Sequence, residues 1–294
     1  MSAFFREVLW QRLKRNRMAM AGALIVLTMF CFAMIAPVSG RDPGAIDIAL
    51  RLQSPSFDYP LGTDDLGRDV LARILYGARI SLLVGFVAVG IATFIGILLG
   101  AMAGFYGRWV DSLIMRFVDI MLCFPSFFLI LAVIAFLEPS IWNIMIIIGL
   151  TSWMGATRFV RAEFLSLREQ DFVAAAKALG LSNFRIIFRH MMPNAIAPVL
   201  VSATIGIATA ILTEAGLSFL GLGAQPPTAD LGSMLGSGRE LLTTEPRVAI
   251  LPGLVILLLV VAINLVGDGL RDAFDPRMKG TRSPLNASVC SSLV

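Results

Sequence analysis

The chain has 294 residues, of which 57% are apolar and only 15% are charged. Soluble domains carry about a quarter charged residues, so this composition excludes an ordinary soluble domain and indicates a membrane protein. The net charge is a modest +4, and the three cysteines are far apart, with no C-x-x-C motif. We therefore expect no nucleic-acid partner, no disulfide framework and no metal site built on cysteine.

Six uncharged, mainly apolar runs are each long enough to cross roughly 30 Å of hydrocarbon at about 1.5 Å per residue. The sequence therefore predicts an all-α membrane protein with six transmembrane helices. The first run lacks a clear A-x-A cleavage site and is longer than the apolar part of a usual signal peptide, so we interpret it as a retained helix. The six runs are Met18–Gly40, Ile80–Gly107, Ile120–Leu137, Pro139–Thr157, Met191–Thr213 and Val248–Gly267.

Lysine and arginine are concentrated in the segments before the first run, after the fourth run and after the sixth run. Because cytoplasmic loops carry the excess of these residues, we expect both termini in the cytoplasm. The N-terminal segment FFREVLWQRLKRNR is either an interfacial amphipathic helix or a simple topology anchor.

The loop between the first two runs contains LGTDDLGRDVLARILYGARISL. Its apolar residues repeat at helical spacing, which predicts a short surface helix leading into the second span. Asp69 precedes Arg73 by four residues, the order that favours an ion pair on a helix. The clustered acids Asp64, Asp65 and Asp69 could suggest a cation site, but ion pairs and helix caps are the favoured interpretation.

A basic, amphipathic stretch, AAAKALGLSNFRIIFRHMMPN, separates the fourth and fifth runs. Asp171 is expected to cap a first short helix, and Gly180 to end it in a left-handed conformation. Ser182 is expected to cap a second short helix, and Pro193 fits the first turn of the helix after that. The segment thus predicts two short helices at an angle on the inner membrane surface. The expected shared faces are Phe172, Ala176 and Leu179 in the first helix and Phe184, Ile187, Phe188 and Met191 in the second.

This stretch resembles the "EAA" loop of ABC importer permeases, in which EAA, three residues, glycine and nine further residues lead to an apolar residue and proline. Here Ala174–Ala176 is followed by three residues and Gly180, and nine more lead to His190-Met191-Met192-Pro193. Ala174 departs from the pattern, since the family often has glutamate there.

Four longer motifs narrow the resemblance to the peptide/nickel/opine permeases, on the side of the dipeptide-permease C-type subunits. The resemblance spans about 61–277, and a second departure is Leu231, where relatives commonly have tryptophan. The motifs are LGTDDLGRDVLARILYGARISLL, FVDIMLCFPS, EAGLSFLGLGAQPPT and NLVGDGLRDAFDPR.

The resemblance implies a type I ABC importer permease bundle with cytoplasmic coupling helices in the bacterial inner membrane. It implies four kinds of partner: a homologous second permease, two cytoplasmic ABC ATPases, an extracytoplasmic substrate-binding protein and membrane lipid. The chain itself would bind no cofactor, because ATP and Mg would lie on the ATPases. Dipeptides and oligopeptides are the expected cargo, with nickel chelates, opines or glutathione-like peptides as alternatives. The expected ATPase-coupling residues are Ala174, Ala175, Ala176, Gly180, Arg185, Arg189, His190 and Pro193.

Three segments of the chain follow from this interpretation. Residues 1–77 would hold the cytoplasmic N-terminus, the first span and an outer loop. Residues 78–270 would form a permease core of five spans that includes the coupling segment 171–193, and residues 271–294 would form a cytoplasmic tail.

The sequence contains no recognisable catalytic motif. It lacks a G-x-x-x-x-G-K-[ST] nucleotide loop and a G-x-S-x-G nucleophile motif, and a single histidine excludes H-E-x-x-H. We therefore expect no enzyme activity in this chain. A self-sufficient secondary transporter is the competing class, but it would need an internal repeat or ionisable residues near the midplane, and both signals are weak.

Few charged residues fall within the apolar runs or at their ends. Arg116 and Asp119 are spaced to form an ion pair, and Asp268 is expected to join Arg271 at the inner end of the last span. Glu214 has two interpretations, as part of the substrate path or as an anchor for the glycine- and serine-rich turn that follows it.

Overall fold

The computed structural model describes residues 16–36, 41–138 and 140–274. Within these ranges the regular elements are helices, and the β structure is an isolated bridge between Thr63 and Asp69. The all-α expectation is therefore confirmed. The predicted interfacial helix before Asn16 and the tail beyond Phe274 lie outside the described residues. The longer helices are α1 (Arg17–Ile35), α2 (Val70–Tyr106), α3 (Arg108–Leu122), α4 (Ser126–Ile134), α5 (Ile141–Arg168), α6 (Asp171–Ala178), α7 (Met192–Phe219), α8 (Leu231–Gly238) and α9 (Arg247–Phe274).

Five helical stretches of the described chain are long and apolar enough to cross a membrane, and α3 with α4 makes a sixth if this bent pair is one span. The third predicted run, Ile120–Leu137, is therefore not one straight helix, because α3 and α4 meet at 76°. Pro125 causes the break, since it has no N–H with which to continue α3. Its carbonyl instead accepts the N–H of Leu129, 3.1 Å away, and starts α4.

The surface helix predicted before the second span is the beginning of α2 itself. Asp69 caps α2 and accepts the backbone N–H of Leu71 at 2.9 Å. The predicted pair of Asp69 with Arg73 is wrong, because the capping carboxylate faces the helix start. Asp69 instead binds Arg41 at 2.6 Å, and Arg73 binds the fully buried Asp64. The interpretation of these acids as caps and ion pairs is confirmed.

The largest helix contact joins α2 and α5 and depends on glycines four residues apart. A Cβ atom at Gly96 would lie 2.5 Å from Cβ of Ala156, and one at Gly104 would lie 2.5 Å from Cβ of Phe164. Small residues at this spacing let two membrane helices approach closely, which gives van der Waals contact over a long interface. Helices α2 and α5 therefore form the tightly packed centre of the bundle.

Two peripheral helices pack against this centre. Helix α1 packs on α9 at Gly22, where a Cβ would lie 2.6 Å from the carbonyl oxygen of Ala262. Helix α8 packs on α2 through the fully buried Leu231, whose backbone nitrogen would lie 2.9 Å from a Cβ at Gly77. Leu231, which departs from the family pattern, therefore serves internal packing.

The ion pair predicted between Arg116 and Asp119 is replaced by others. Asp119 binds Arg158 of α5 rather than Arg116. Asp111 binds Arg161, and the distance from Nη2 of Arg161 to Oδ2 of Asp111 is 2.6 Å. Sequence spacing within one helix missed these pairs because both acids face the neighbouring helix α5.

The last span also differs from the expectation at its C-terminal end. The pair of Asp268 with Arg271 is not among the ion pairs of the described residues. Instead Asn16, which caps α1, donates its side-chain amide to Asp272 at 3.1 Å. This bond ties the start of α1 to the end of α9.

Candidate functional site

The coupling segment, residues 171–193, begins with the short helix α6. Gln170 rather than Asp171 occupies the cap position, and Asp171 lies in the first turn. Gly180 has a φ of 73°, the left-handed conformation predicted from the sequence. The N–H of Leu181 binds the carbonyl of Ala176 at 3.2 Å, and the N–H of Gly180 binds that of Lys177 at 2.9 Å. These two bonds are the Schellman arrangement that ends a helix and turns the chain.

The second half of the segment is not a separate helix. A short turn at Asn183–Arg185 and a π-helical stretch at Ile186–Met191 run directly into α7. Pro193 lies in the first turn of α7 and has no N–H to donate to a carbonyl of the preceding turn. The regular α-helical hydrogen-bond pattern is therefore interrupted at this residue. The side chain of Asn194 donates to the carbonyl of His190 at 2.7 Å. The prediction of a separate second short helix is therefore wrong, because this stretch continues into α7.

One face of the segment is buried in the bundle. Val173 and Ala176 of α6 are buried, whereas Ala174 and Ala175 are exposed. The buried residues join a cluster at one end of α2, α5 and α7, which we call the inner cluster. The buried side chains of the inner cluster are Ala101, Phe105, Val160, Phe164, Val173, Ala176, Ile186, Ile187, Met191, Ala195 and Val199.

Both predicted shared apolar faces are divided, and in α6 Ala176 is buried while Phe172 and Leu179 are exposed. The second face is divided within the π-helical stretch. Ile187 and Met191 point inward, while Phe184 and Phe188 point outward. A π-helix has its hydrogen bonds five residues apart, so residues that share one face of an α-helix separate here. Sequence periodicity could not anticipate this change.

The outward face of the segment combines apolar and cationic side chains, and we call it the coupling surface. The rings of Phe184 and Phe188 have centroids 4.5 Å apart. Leu179 is 79% exposed and Phe184 is 71% exposed, so this chain covers little of either side chain. His190 is partly exposed beside this surface. The coupling surface comprises Phe172, Leu179, Phe184, Phe188, Arg185 and Arg189.

A contact between a cation and an aromatic ring attaches the segment to the end of α2. Nζ of Lys177 lies 5.8 Å from the centroid of the Phe105 ring. Attraction of a cation by the ring quadrupole is worth about 0.5–1 kcal/mol at exposed sites. The contact adds to the burial of Val173 and Ala176, so α6 is held to the bundle as a unit.

A cavity of about 280 Å³ lies between α2, α5 and α7. Its described lining combines small residues, hydroxyl groups and larger apolar side chains such as Ile148 and Phe159, and contains no charged side chain. The hydroxyls belong to Thr93, Ser152, Ser202, Thr209 and Thr213. Such a lining can exchange hydrogen bonds with a polar solute without fixing the sign of its charge.

Glu214 lies beside the cavity-lining residue Thr213, but is absent from the described lining. It is fully buried, and Oγ of Ser218 donates to it at 2.9 Å. Oγ of Ser81 on α2 approaches its second oxygen at 3.4 Å. These contacts favour the anchoring interpretation of Glu214, because both of its oxygens have partners inside the protein.

The same junction holds helix α8. Asp230 is fully buried and caps α8, accepting the N–H of Ser233 at 3.0 Å. A Cβ atom at Gly232 would lie 2.7 Å from Cβ of Ser218. Helices α7 and α8 therefore meet around Ser218 with no room for a larger residue.

Comparison with protein families gives two matches. Residues 96–280 match the family described as "Binding-protein-dependent transport system inner membrane component". Residues 4–55 match the "N-terminal TM domain of oligopeptide transport permease C". The two matches do not test the predicted boundaries at 77/78 and 270/271, which stay predictions.

Curated relatives resemble the chain over nearly its whole length. The dipeptide transport system permease protein DppC of Alkalihalophilus pseudofirmus is 47% identical over 92% of this chain and 89% of its own length. The di/tripeptide transport system permease protein DppC of Pseudomonas aeruginosa is 43% identical over 92% of this chain and 91% of its own length. The glutathione transport system permease protein GsiD of Escherichia coli is 42% identical over 92% of this chain and 90% of its own length.

Solved structures share the fold at low sequence identity. An inward-facing MetNI methionine ABC transporter chain aligns with a TM-score of 0.54 and 19% identity, covering 69% of this chain and 97% of that one. A chain of an amino acid ABC transporter aligns with a TM-score of 0.51 and 15% identity, and the alignment covers 67% of this chain and 91% of that one. The expected type I importer fold is thus confirmed.

Proposed function

Because this chain belongs to the family of binding-protein-dependent transport system inner membrane components, we propose that it carries dipeptides and oligopeptides across the membrane as one of two permease subunits of an ATP-driven importer. It is a multi-pass inner-membrane transport component rather than an enzyme. The names of its dipeptide-transporting relatives support the peptide cargo. A glutathione permease of similar identity makes glutathione-like peptides the second candidate.

The partners follow from the proposed function. A homologous second permease would complete the pathway, and an extracytoplasmic binding protein would deliver the peptide. Two cytoplasmic ABC ATPases would bind ATP and Mg, since the sequence offers no nucleotide loop. Both termini and the coupling segment would face the cytoplasm, in agreement with the distribution of lysine and arginine.

The observation that carries the proposal is the coupling surface and its direct connection to a cavity-lining helix. Exposed aromatics beside Arg185 and Arg189 have the composition of a protein-binding surface. The second half of the segment behind this surface, Asn183–Arg185 and Ile186–Met191, continues directly into α7. Helix α7 contributes Thr209 and Thr213 to the cavity.

The mechanism uses this continuity. Closure of the two ATPases on ATP would push the coupling surface, and the inner cluster would transmit the displacement because packed side chains resist compression. Helix α7 would then move relative to α2 and α5, and the cavity would change its access from one side of the membrane to the other. This is a rigid-body switch between two packed arrangements of the helices. It would open the cavity to the peptide from one side of the membrane at a time.

The test uses the complex purified with its co-expressed permease and ATPases and reconstituted with the binding protein. A double substitution of Phe184 and Phe188 by alanine should abolish peptide-stimulated ATP hydrolysis and peptide uptake. The matched control replaces Phe94, an exposed aromatic of α2, by alanine and should retain both activities. Full stimulation in the double variant would contradict the proposed coupling role, and uptake of solute by the chain alone in liposomes would overturn the ABC-permease proposal.

A further inference from the structure

Two acidic side chains meet inside the protein where α7 and α8 join. Glu214 lies near the C-terminal end of α7, and Asp230 is the residue that caps α8. Both are fully buried, and their side chains are hydrogen-bonded to each other. An ionised carboxylate can only accept a hydrogen bond, so a bond between two carboxyl groups needs a proton on one of them.

The helices that form this junction supply no cation to the two carboxyl groups. Helix α7 contains no other charged residue, and α8 contains none. On the neighbouring part of α2, Arg73 binds Asp64, Arg79 is exposed, and the phenol of Tyr76 is partly exposed. The side chains that α2 contributes near the pair are therefore either neutral or directed elsewhere.

The elements that follow α8 do not supply a cation either. Arg239 and Glu240 come after the far end of α8 and are exposed. Arg247, at the start of α9, pairs with Glu245 at 2.9 Å. Within the part of the chain that the structure describes, no lysine or arginine forms an ion pair with either buried carboxyl group. Two like charges in contact at a buried site cannot both persist, so the pair retains one proton.

The surroundings of the two groups differ, and the difference locates the proton. Asp230 accepts two backbone N–H groups at the start of α8, one of them from Ser233 at 3.0 Å. Backbone donors at a helix N-terminus stabilise an anion. Glu214 instead meets serine hydroxyls, the nearer being Ser218 at 2.9 Å. Asp230 is therefore the better anion, and Glu214 is the better acid.

We propose that Glu214 is protonated and donates a hydrogen bond to the Asp230 carboxylate, and that this shared proton fastens the start of α8 to α7. Loss of the proton would leave two negative charges in contact, and their repulsion would move Asp230 and the capped end of α8 away from Glu214. Alkaline solution removes the proton, so the junction should weaken as the pH rises. In the mechanism proposed above, α8 would move together with α7 as long as the proton is present.

The first experiment detects the proton directly. The infrared spectrum of the chain, purified in a detergent without ester groups, should contain at neutral pH a C=O stretch of a protonated carboxyl group that Glu214→Gln lacks. The matched control is Glu240→Gln, which replaces an exposed glutamate after α8 and should retain the band. Equal bands in the unchanged chain and in Glu214→Gln would show that Glu214 is ionised and would overturn the proposal.

The second experiment tests whether the proton holds the junction, by measuring the thermal unfolding midpoint from neutral to alkaline pH. The midpoint of the unchanged chain should fall as the pair loses its proton. Glu214→Gln should lose most of this fall, because its amide donates an N–H that does not titrate in this range. Glu240→Gln should follow the unchanged chain.

A variant of the other carboxyl group keeps the test decisive if Glu214→Gln does not fold. Asp230→Asn retains a residue type that caps helices and removes the repulsion from the opposite side, so its midpoint should also fall less. Parallel pH profiles for the unchanged chain and the variants of the pair would contradict the fastening role. Neither experiment needs peptide or ATPase, so failure of this inference leaves the proposed transport function standing.

Discussion

A Cβ atom placed on Gly100 of α2 would lie 2.6 Å from the carbonyl oxygen of Thr157 in α5. Real Cβ atoms do not approach backbone oxygens this closely, so the two helices can meet here only because residue 100 lacks a side chain. The contact lies in the central helix pair and next to the inner cluster, which includes the neighbouring Ala101. The distance between α2 and α5 is thus set by glycine.

Gly100→Leu should therefore destabilise the bundle by about 1–3 kcal/mol or more, since it forces the central helices apart. Gly90→Leu on the same helix is the matched control, because open space surrounds a Cβ there. The measurement is the thermal unfolding midpoint of the two purified variants in the same detergent. Equal midpoints would show that α2 and α5 can separate without cost.

Replacing Glu214 distinguishes its two interpretations. As an anchor, it accepts hydrogen bonds from Ser218 and Ser81, so Glu214→Leu should leave buried hydroxyls without their acceptor and cost about 1–3 kcal/mol. Glu214→Gln keeps an acceptor oxygen and nearly the same volume, so its peptide uptake should equal that of the unchanged chain. Altered uptake by Glu214→Gln in a fully assembled complex would instead assign Glu214 to the substrate path.

Much of the fold follows from local sequence signals. The apolar runs place five spans, and Pro125 marks the break in the remaining one. The left-handed conformation of Gly180 is likewise predictable, because glycine populates positive φ at little cost. Each of these features depends on the length of a run or on the backbone chemistry of one residue.

Prediction from the sequence was wrong for ion pairs whose two residues lie on different structural elements. Spacing along one helix paired Arg116 with Asp119 and Asp69 with Arg73, but the real partners lie on another helix or in the outer loop. The π-helical stretch at Ile186–Met191 was also missed, because 3.6-residue periodicity assumes an α-helix. Such features depend on tertiary packing, which a single sequence does not encode as a periodic pattern.

Gly180→Val should uncouple ATP hydrolysis from peptide uptake in the reconstituted complex. Valine at a φ of 73° is strained by about 1–2 kcal/mol or more, so the turn after α6 should change and displace Phe184 from its place on the coupling surface. Open space surrounds Gly180, so a steric clash is not the cause. Gly90→Val, which lies in open space within a regular helix, is the control and should remain coupled. Full coupling in Gly180→Val would show that the left-handed turn is dispensable.

Ala174→Glu should strengthen binding of the ATPases by about three- to tenfold if their groove presents a cation to this position. Ala174 is exposed on α6, whereas Val173 and Ala176 are buried in the inner cluster. Ala174→Gln has nearly the same shape without the charge, and the difference between the two variants isolates the charge. The measurement is the dissociation constant of the ATPases from the permease pair at low and at high salt. A gain for glutamate that disappears at high salt would assign a cation to the ATPase groove, since screening weakens exposed charge pairs. Identical constants for all three side chains would mean that the ATPases of this system make no charged contact at residue 174.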